Sequence, residues 1–428
     1  MNRVSMPAQQ KQLFEEPFAY HQQEDWGFFS LLTRNQAGKT AQSSHRLDTM
    51  PTVLGLVDPY QDTWLSQAEF MRANRRVVNL LRIGLMFVDI DCYKETWATG
   101  KTPEALAQGL LYFCDDEGVP PPSIIVFSGR GLQAKWLIEG TIPRQALPRW
   151  NACQRHLVDK LRKFGADPAA KDASRVLRLV NTVNTKSGEL CRVVHVTDTV
   201  DGKPVRYDFE YLAEWLLPVA RSEIEQARQT KLQVITGGKA APGLRGFSGR
   251  TLAWHRLEDL RALATLRGGV DEGARMMHLF WQLNFLLLSG ASNTNLMWHE
   301  AAEIARQIDP SWGYRSPELS SLYQKALAHE KGEKVQFHGR ELSPLYTPKN
   351  DTLINLFSIT DDEQRQLKTI ISSGMAAERH AKRSEASRRA AGAVDRQTYE
   401  SQSLSRKKPW EALGMSRATW YRSGKPEA

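Results

Sequence analysis

The chain has 428 residues, of which 41% are hydrophobic and 25% are charged, and its formal net charge is +9. This composition excludes a disordered chain, a coiled-coil rod and a collagen-like fibre, and the length predicts two or three domains of about 150 residues each. The excess of basic residues favours a polyanionic partner, most often nucleic acid.

The cysteines and the hydropathy pattern indicate a cytoplasmic protein. The four cysteines, Cys92, Cys114, Cys153 and Cys191, are far too few for a disulfide scaffold. No pair of them has CxxC spacing, which argues against a cysteine zinc site. The N-terminus has no apolar stretch of signal-peptide length. The longest apolar run, around Leu283–Leu288, is far shorter than the ~20 residues that a membrane helix needs, so no membrane contact is expected.

The first region, residues 1–220, alternates strand-like with helix-like segments, as an α/β domain does. Apolar runs predict strands at Trp26–Thr33, Thr63–Met71, Gly84–Asp91, Ser123–Ser128, Gln133–Glu139 and Leu190–Thr197. Helical spacing of apolar residues predicts helices at Arg72–Arg82, Pro103–Phe113 and Arg149–Phe164. The fourth and fifth strands form a predicted hairpin around Gly129-Arg130-Gly131.

Residues 221–250 are interpreted as a linker, because Gln229–Arg250 is basic, glycine-rich and without periodicity. Residues 251–345 form a predicted all-α bundle with no strand signal as far as Lys334. Its helices are predicted at Arg275–Leu288, Ala301–Ile308 and Pro317–His329.

Residues 346–428 are interpreted as one long charged helix from about Asp351 and a basic tail. Between Gly374 and Ala428 there are twelve Lys and Arg residues against six Asp and Glu. The end of the tail has the punctuation of a helix–turn–helix, with a turn at Leu413-Gly414-Met415 and a serine-capped second helix that presents Arg417 and Arg422. A solvated, fraying terminal helix is the alternative.

The clearest chemical motif is Phe87-Val88-Asp89-Ile90-Asp91. Side chains alternate along a strand, so the two carboxylates lie on one face, where like charges repel. Such pairs are typical of divalent-metal sites, since Mg²⁺ takes one or two carboxylates together with substrate phosphates. A strand end with solvated acids is the alternative.

Two further segments carry groups that suit phosphate. Ser128-Gly129-Arg130-Gly131-Leu132-Gln133-Ala134-Lys135 combines a glycine turn, which lets backbone amides approach an anion, with fixed positive charge. A plain hairpin turn is its alternative interpretation. Asp167 and Asp172 precede Arg175, Arg178 and Lys186, and guanidinium groups at this spacing suit triphosphates or nucleic-acid phosphates. A structural ion-pair cluster is the alternative there.

Taken in this order, the three segments resemble the archaeo-eukaryotic primase superfamily, the primase-polymerases. The family pattern is DxD on a strand, then SGxGxH, then an acid ahead of arginines. The segment from Asp167 to Arg175 especially resembles plasmid-encoded RepB-type replication primases. Gln133 departs from the pattern, because many members have histidine there. Asp167 fits the RepB-type placement of the third metal-binding acid and Asp172 that of the wider family, with a slight preference for Asp167.

The resemblance implies an RRM-like α/β catalytic core and primer synthesis from nucleoside triphosphates on single-stranded DNA by two-metal phosphoryl transfer. Asp89, Asp91 and Asp167 or Asp172 would hold Mg²⁺ or Mn²⁺. The implied triphosphate cradle comprises Ser128, Gly129, Arg130, Gly131, Gln133, Arg175 and Arg178. Lys135, Lys186, Arg417 and Arg422 are the implied nucleic-acid-binding residues.

The implied partners are single-stranded template DNA, with an origin hairpin as a further candidate, and a separate helicase. Two alternatives from other classes remain at this point. One is a non-catalytic DNA-binding replication initiator whose carboxylates are structural. The other is a metal-dependent nuclease, which also uses clustered carboxylates and would nick DNA where a primase would synthesise it.

Overall fold

The computed structural model describes residues 16–22, 26–35, 37–217, 242–337, 339–392, 398, 400–401 and 404–425. The chain forms two compact units that divide between Thr347 and Pro348. The first unit contains a large β-sheet and then a helical part, and the second contains helices. The finer division of the first unit at 220 and 251 stays a prediction, and residues 221–241 of the predicted linker lie outside the described residues.

Within the described residues, the main sheet has ten strands and is antiparallel except where β12 pairs with β7. Its strands are β1 (Phe28–Arg34), β2 (Thr40–Arg46), β3 (Asp62–Ser66), β4 (Glu69–Phe70), β5 (Leu80–Ile90), β6 (Ile124–Phe127), β7 (Leu132–Pro143), β8 (Val176–Arg178), β11 (Arg192–Val196) and β12 (Arg206–Tyr207). Their order is β11-β6-β7-β5-β4-β1-β3-β8, and β2 pairs with β1. The short strands β9 (Val183–Asn184) and β10 (Glu189–Leu190) form a separate pair. The mixed α/β class is as predicted.

The central strands form where their apolar runs predict them. β6 and β7 make the predicted hairpin, with Phe127 opposite Leu132. The predicted strand at Thr63–Met71 is instead divided between β3 and β4. The division falls at Gln67, whose amide donates to the carbonyl of Arg175, so that β3 pairs with β1 and β8 while β4 pairs with β5.

The predicted helix at Arg72–Arg82 is wrong. This segment is a turn, a 3₁₀ turn at Val77–Asn79 and the first residues of β5. Its backbone amides have a partner from far along the chain, since the Glu300 carboxylate accepts from the amides of Val77 (3.0 Å) and Val78 (3.3 Å). A tertiary contact therefore overrides the local helical spacing.

Two helices pack beside the central strands, α2 (Pro103–Asp116) and α3 (Leu147–Lys160). α2 starts at the cap of Thr102, whose hydroxyl accepts from the Ala105 amide. The predicted helix to Phe164 ends as α3 at Lys160 and continues as a 3₁₀ turn. Side chains of α3 satisfy backbone groups of β5: the Trp150 indole donates to the Leu85 carbonyl, and Gln154 bonds both the amide and the carbonyl of Phe87.

Two further helices of the sheet region are α1 (Met50–Gly55) and α4 (Phe209–Leu216). The helical part of the first unit comes after them and comprises α5 (Pro242–Leu266), α6 (Arg275–Leu288), α7 (Met297–Ile308) and α8 (Ser320–Glu330). α6 has the bounds that its spacing predicts. The predicted linker is wrong at its end, because residues 242–250 belong to α5. The all-α prediction for 251–345 is wrong at its own end, where β13 (Val335–Phe337) pairs with β14 (Arg340–Leu342).

The second unit is not one long helix. Its described helices are α9 (Asn350–Leu356), α10 (Asp361–Gln366), α11 (Ser373–Ala390), α12 (Leu404–Lys407), α13 (Pro409–Ala412) and α14 (Arg417–Arg422). Local caps break the helix, because Thr360 and Glu363 form a capping box at the start of α10 and Ser372 caps α11. Among the helices described in either unit, none is long and apolar enough to cross a membrane.

Candidate active site

A cleft of about 340 Å³ opens at the end of β5, between the β5–β7 side of the sheet and the β1–β3–β8 side. It is lined by Leu32, Arg34, Trp64, Asp89, Asp91, Tyr93, Ser128, Arg130, Gln133, Arg175, Val176, Leu177, Arg178, Asn184 and Lys186. Eight of these residues are predicted site residues: Asp89, Asp91, Ser128, Arg130, Gln133, Arg175, Arg178 and Lys186. Five cationic side chains thus face two carboxylates, a balance that suits a polyanion bound next to a cation.

The carboxylates are placed by the end of β5 and by one short bridge. Asp89 lies opposite Gln133 of β7, and Asp91 follows the last residue of the strand. The Asp167 amide donates to the carbonyl of Asp89 (2.8 Å), and the Asp91 amide donates to that of Gly165 (2.9 Å). These bonds bring the segment that carries Asp167 alongside the DxD motif, about 75 residues away in sequence.

The surroundings of Asp89 disfavour its ionised form. The pKa of Asp89 is raised to about 7, first by burial and then by the negative charges of Asp91 and Asp167, while Arg175 and Arg178 act to lower it. Three acids therefore repel one another here. Asp91 is partly neutralised by an ion pair with Lys94.

The two candidate third acids have different surroundings. Asp172 accepts from the amide and the hydroxyl of Ser174 and lies 3.2 Å from the Arg175 guanidinium. Asp167 accepts from the amide of Ala169 and acts on the charge of Asp89. Neither lines the cleft itself.

The donor set fits a hard divalent cation. Among the described residues, no group of three or more His, Cys, Asp and Glu side chains is gathered closely enough to enclose a metal ion. Mg²⁺ nevertheless needs only one or two protein carboxylates when substrate phosphates complete its shell. Asp89 and Asp91 meet that requirement, and a cation beside Asp89 would favour its ionised form, which burial and then the charges of Asp91 and Asp167 disfavour.

In the turn between β6 and β7, close contacts with neighbouring residues require glycine at positions 129 and 131. A Cβ on Gly131 would lie 2.2 Å from the Ile90 carbonyl oxygen, and one on Gly129, where φ is +87°, would lie 2.5 Å from Cβ of Asn184. The Ser128 hydroxyl donates to the Gly131 carbonyl (3.0 Å), so it stabilises the turn. The turn carries Arg130, whose guanidinium lies 3.9 Å from the ring centre of Tyr93.

Arg178 is held by residues that the motifs do not include. Its guanidinium donates to Asp62 (2.6 Å) and lies 4.7 Å from the ring centre of Trp64. Asp62 also accepts from the amide and hydroxyl of Thr185. Arg34 lies over the same indole at 5.3 Å. Asp62 and Trp64 belong to β3, far from the motifs in sequence, and only the alternation of that strand could have pointed to them.

The predicted nucleic-acid contact at Lys135 is wrong. Its ammonium is 1% exposed, forms an ion pair with Glu16 and donates to the Tyr20 hydroxyl (3.3 Å). Lys135 lies two residues beyond Gln133 on β7, one step further from the cleft, where the segment around Glu16 covers the sheet. Its charge is thus a structural one.

The tail residues belong to the second unit and are described within it. Ser416 caps α14 as predicted, but α13 and α14 have only four and six residues. Trp410 and Trp420 pack together with ring centres 5.9 Å apart, and the Arg417 guanidinium lies 5.6 Å from the Trp410 ring. Whether Arg417 and Arg422 contact DNA stays a prediction.

No protein-family model matches the chain. The chain is 26% identical over 317 residues to a replication protein of Clostridium perfringens, which covers 73% of this chain and 69% of that protein. This likeness confirms the resemblance to replication proteins that the motifs predict.

Three solved structures are also similar to parts of the chain. The primase-polymerase domain of cyanophage S-2L is 16% identical, with a TM-score of 0.33, over 45% of this chain and 89% of that one. The catalytic domain of primase RepB′ in complex with initiator DNA is 16% identical, with a TM-score of 0.29, over 49% and 91%. Primase RepB′ is 17% identical, with a TM-score of 0.29, over 72% and 95%.

Proposed function

We propose that this protein is a replication primase, a nucleotidyltransferase that joins nucleoside triphosphates on single-stranded DNA. The observation that carries the proposal is the cleft in which Asp89 and Asp91 face five cationic side chains. A nucleoside triphosphate is a polyanion that binds with a divalent cation, and this arrangement is complementary to both charges. The replication protein of Clostridium perfringens supports the same conclusion.

The triphosphate would be held by Arg130, Arg175, Arg178 and Lys186. Arg178 is held in place, because its guanidinium donates to the Asp62 carboxylate and lies over the Trp64 ring. A fixed guanidinium presents two parallel donors to phosphate oxygens without further loss of side-chain freedom. Gln133, opposite Asp89, adds an uncharged donor, and Ser128 supports the turn that presents Arg130.

Asp89, Asp91 and Asp167 would hold the Mg²⁺ or Mn²⁺. We favour Asp167 as the third acid because it acts on the charge of Asp89, whereas Asp172 is engaged by Ser174 and Arg175. A bound divalent ion supplies charge neutralisation at the reacting phosphate and lowers the pKa of an attacking hydroxyl. The protein's own contribution is to place the carboxylates beside that ion and to orient the phosphates.

The nucleic-acid partners follow from charge. Single-stranded template DNA would contact Lys186 at the cleft and Arg417 or Arg422 in the second unit, whose segment from Gly374 carries twelve basic against six acidic residues. An origin hairpin is a candidate ligand for the same tail, and unwinding of duplex DNA would fall to a separate helicase.

The test is primer synthesis on a single-stranded template with nucleoside triphosphates and Mg²⁺ or Mn²⁺. We expect the wild type to synthesise primers and Asp89→Asn or Asp91→Asn to lose several orders of magnitude in rate while binding template normally. Tyr112→Ala, an exposed position on α2 outside the cleft, is the matched control and should retain full activity. Template binding without synthesis would identify a non-catalytic initiator, and nicking would identify a nuclease.

A further inference from the structure

A second cleft of about 570 Å³ adjoins the candidate active site. The two clefts share Arg34 and Lys186, which stand between them. The other walls of the second cleft include Asn35, Asp58, Tyr60 and Gln61. None of these four residues belongs to a motif that the sequence singled out, and the proposed chemistry does not use them.

The walls of the second cleft are fixed by backbone bonds. The turn after β1 is closed by bonds of Asn35 with Lys39. Asp58 accepts from the amide of Tyr60 (2.9 Å), which sets the bend that presents the ring. The Val183 amide donates to the Pro59 carbonyl (2.7 Å), and this joins the bend to the segment that carries Lys186. The cleft is therefore formed before any ligand binds.

The chemistry of the second cleft changes from one end to the other. At the end shared with the active site, neither Arg34 nor Lys186 lies within ion-pair distance of a carboxylate in the described part of the chain. At the other end the ring of Tyr60 is 62% exposed, with the polar side chains of Asp58 and Gln61 beside it. Unpaired cations suit a phosphate, and an exposed ring with polar neighbours suits a nucleobase.

We propose that the second cleft binds one nucleotide unit, with its phosphate on Arg34 and Lys186 and its base against Tyr60. This inference rests on the proposed function and deepens it. Joining two nucleotides requires two adjacent nucleotide sites, and the shared cations place this one next to the triphosphate cradle. The unit has two sources with the same chemistry, a residue of a single strand or a free nucleotide.

The experiment measures binding of a fluorescent oligothymidylate and of a fluorescent nucleoside triphosphate to the full chain, without metal and by anisotropy. We expect Tyr60→Ala to weaken the binding of one of the two ligands about tenfold, because one base–aromatic stack is lost. Tyr60→Phe should restore that binding, because it keeps the aromatic ring. The ligand that is weakened identifies the source. For the strand, Arg34→Gln should also reduce the salt dependence of binding by about one counterion.

Tyr112→Ala is the matched control, because Tyr112 is a similarly exposed tyrosine that lines neither cleft. This variant should bind both ligands with wild-type affinity. Wild-type affinity of Tyr60→Ala for both ligands would overturn the inference. That result would leave the proposed function intact as long as primer synthesis remained sensitive to Asp89→Asn. Absence of synthesis in the wild type with a Tyr60-dependent affinity would instead overturn the proposed function alone.

Discussion

Two acids with raised pKa values, Asp89 at the cleft and Glu300 beside the turn that precedes β5, show that a raised pKa does not by itself identify a functional group. Burial raises the pKa of each to about 7. Glu300 is fully buried and accepts from two backbone amides, those of Val77 and Val78. Asp89 receives no donor on its carboxylate within the described chain, and Asp91 and Asp167 raise its pKa while Arg175 and Arg178 act to lower it.

The difference separates a structural acid from a candidate ligand. At Glu300 the protein supplies hydrogen-bond donors, so the acid fastens α7 to the 3₁₀ turn that precedes β5. At Asp89 the described part of the protein places two further carboxylates and no hydrogen-bond donor on the acid, a donor set that a bound cation would neutralise. The neighbours of a perturbed group, rather than the size of its shift, indicate its role.

The largest expected effect tests whether Asp167 belongs with Asp89. Asp167→Asn should reduce nucleotide transfer by several orders of magnitude, because it removes a carboxylate that acts on Asp89. Asp172→Asn should lose far less, since Asp172 orients Ser174 and Arg175. Steady-state transfer rates of both variants on one primed template decide the matter. Equal losses of transfer rate in the two variants would contradict the choice of Asp167, in preference to Asp172, as the third metal-binding acid.

Lys135 supplies the next test, as a buried charge that is fully paired. Lys135→Met leaves Glu16 buried without its cation, and removing one partner of such a pair destabilises by about 3–5 kcal/mol. Urea denaturation measures this loss. Affinity of the remaining folded protein for single-stranded DNA should equal that of the wild type. A DNA-binding defect without loss of stability would restore the sequence-based assignment of Lys135.

The sequence predicted those parts of the fold and of the candidate site that depend on residues close together in the chain. The apolar run of β5, the glycine turn at Ser128–Gly131 and the bounds of α6 could be read directly. The predicted hairpin of β6 and β7, with β5 paired to β7, brings the first two motifs together. The third motif reaches the cleft on β8, which pairs with β3, and the hairpin pattern does not indicate that pairing. The glycines of the turn prove to be required by contacts with Ile90 and Asn184, which no spacing discloses.

What could not be predicted depends on distant contacts. Arg72–Arg82 has helical spacing, yet Glu300 satisfies its amides from more than 200 residues away. The residues next to Lys135 in sequence are typical of a phosphate-binding lysine. Its structural role follows only from the buried ion pair with Glu16. Asp62 and Trp64 hold Arg178 but carry no motif of their own. In each case the deciding partner is remote in sequence.

The smallest effect concerns the pH dependence of stability at Glu300. Its pKa in the folded chain is raised from 4.5 to about 7, so the folded state binds more protons than the unfolded state between these values. Stability from this group is therefore complete below the unfolded pKa and is lost as pH rises through about 7. The loss amounts to roughly 3 kcal/mol at most, at 1.36 kcal/mol per pKa unit. Arg76 opposes the shift and Glu303 adds to it.

Glu300→Gln should abolish this contribution, and urea midpoints of the metal-free protein at a series of pH values measure it. Asp89→Asn should flatten the same profile by a separate amount, but added Mg²⁺ should change only the profile of proteins that retain Asp89, because the Glu300 carboxylate is fully buried and is already bonded by the amides of Val77 and Val78. A magnesium effect that survived Asp89→Asn and vanished with Glu300→Gln would reverse the roles assigned to the two acids.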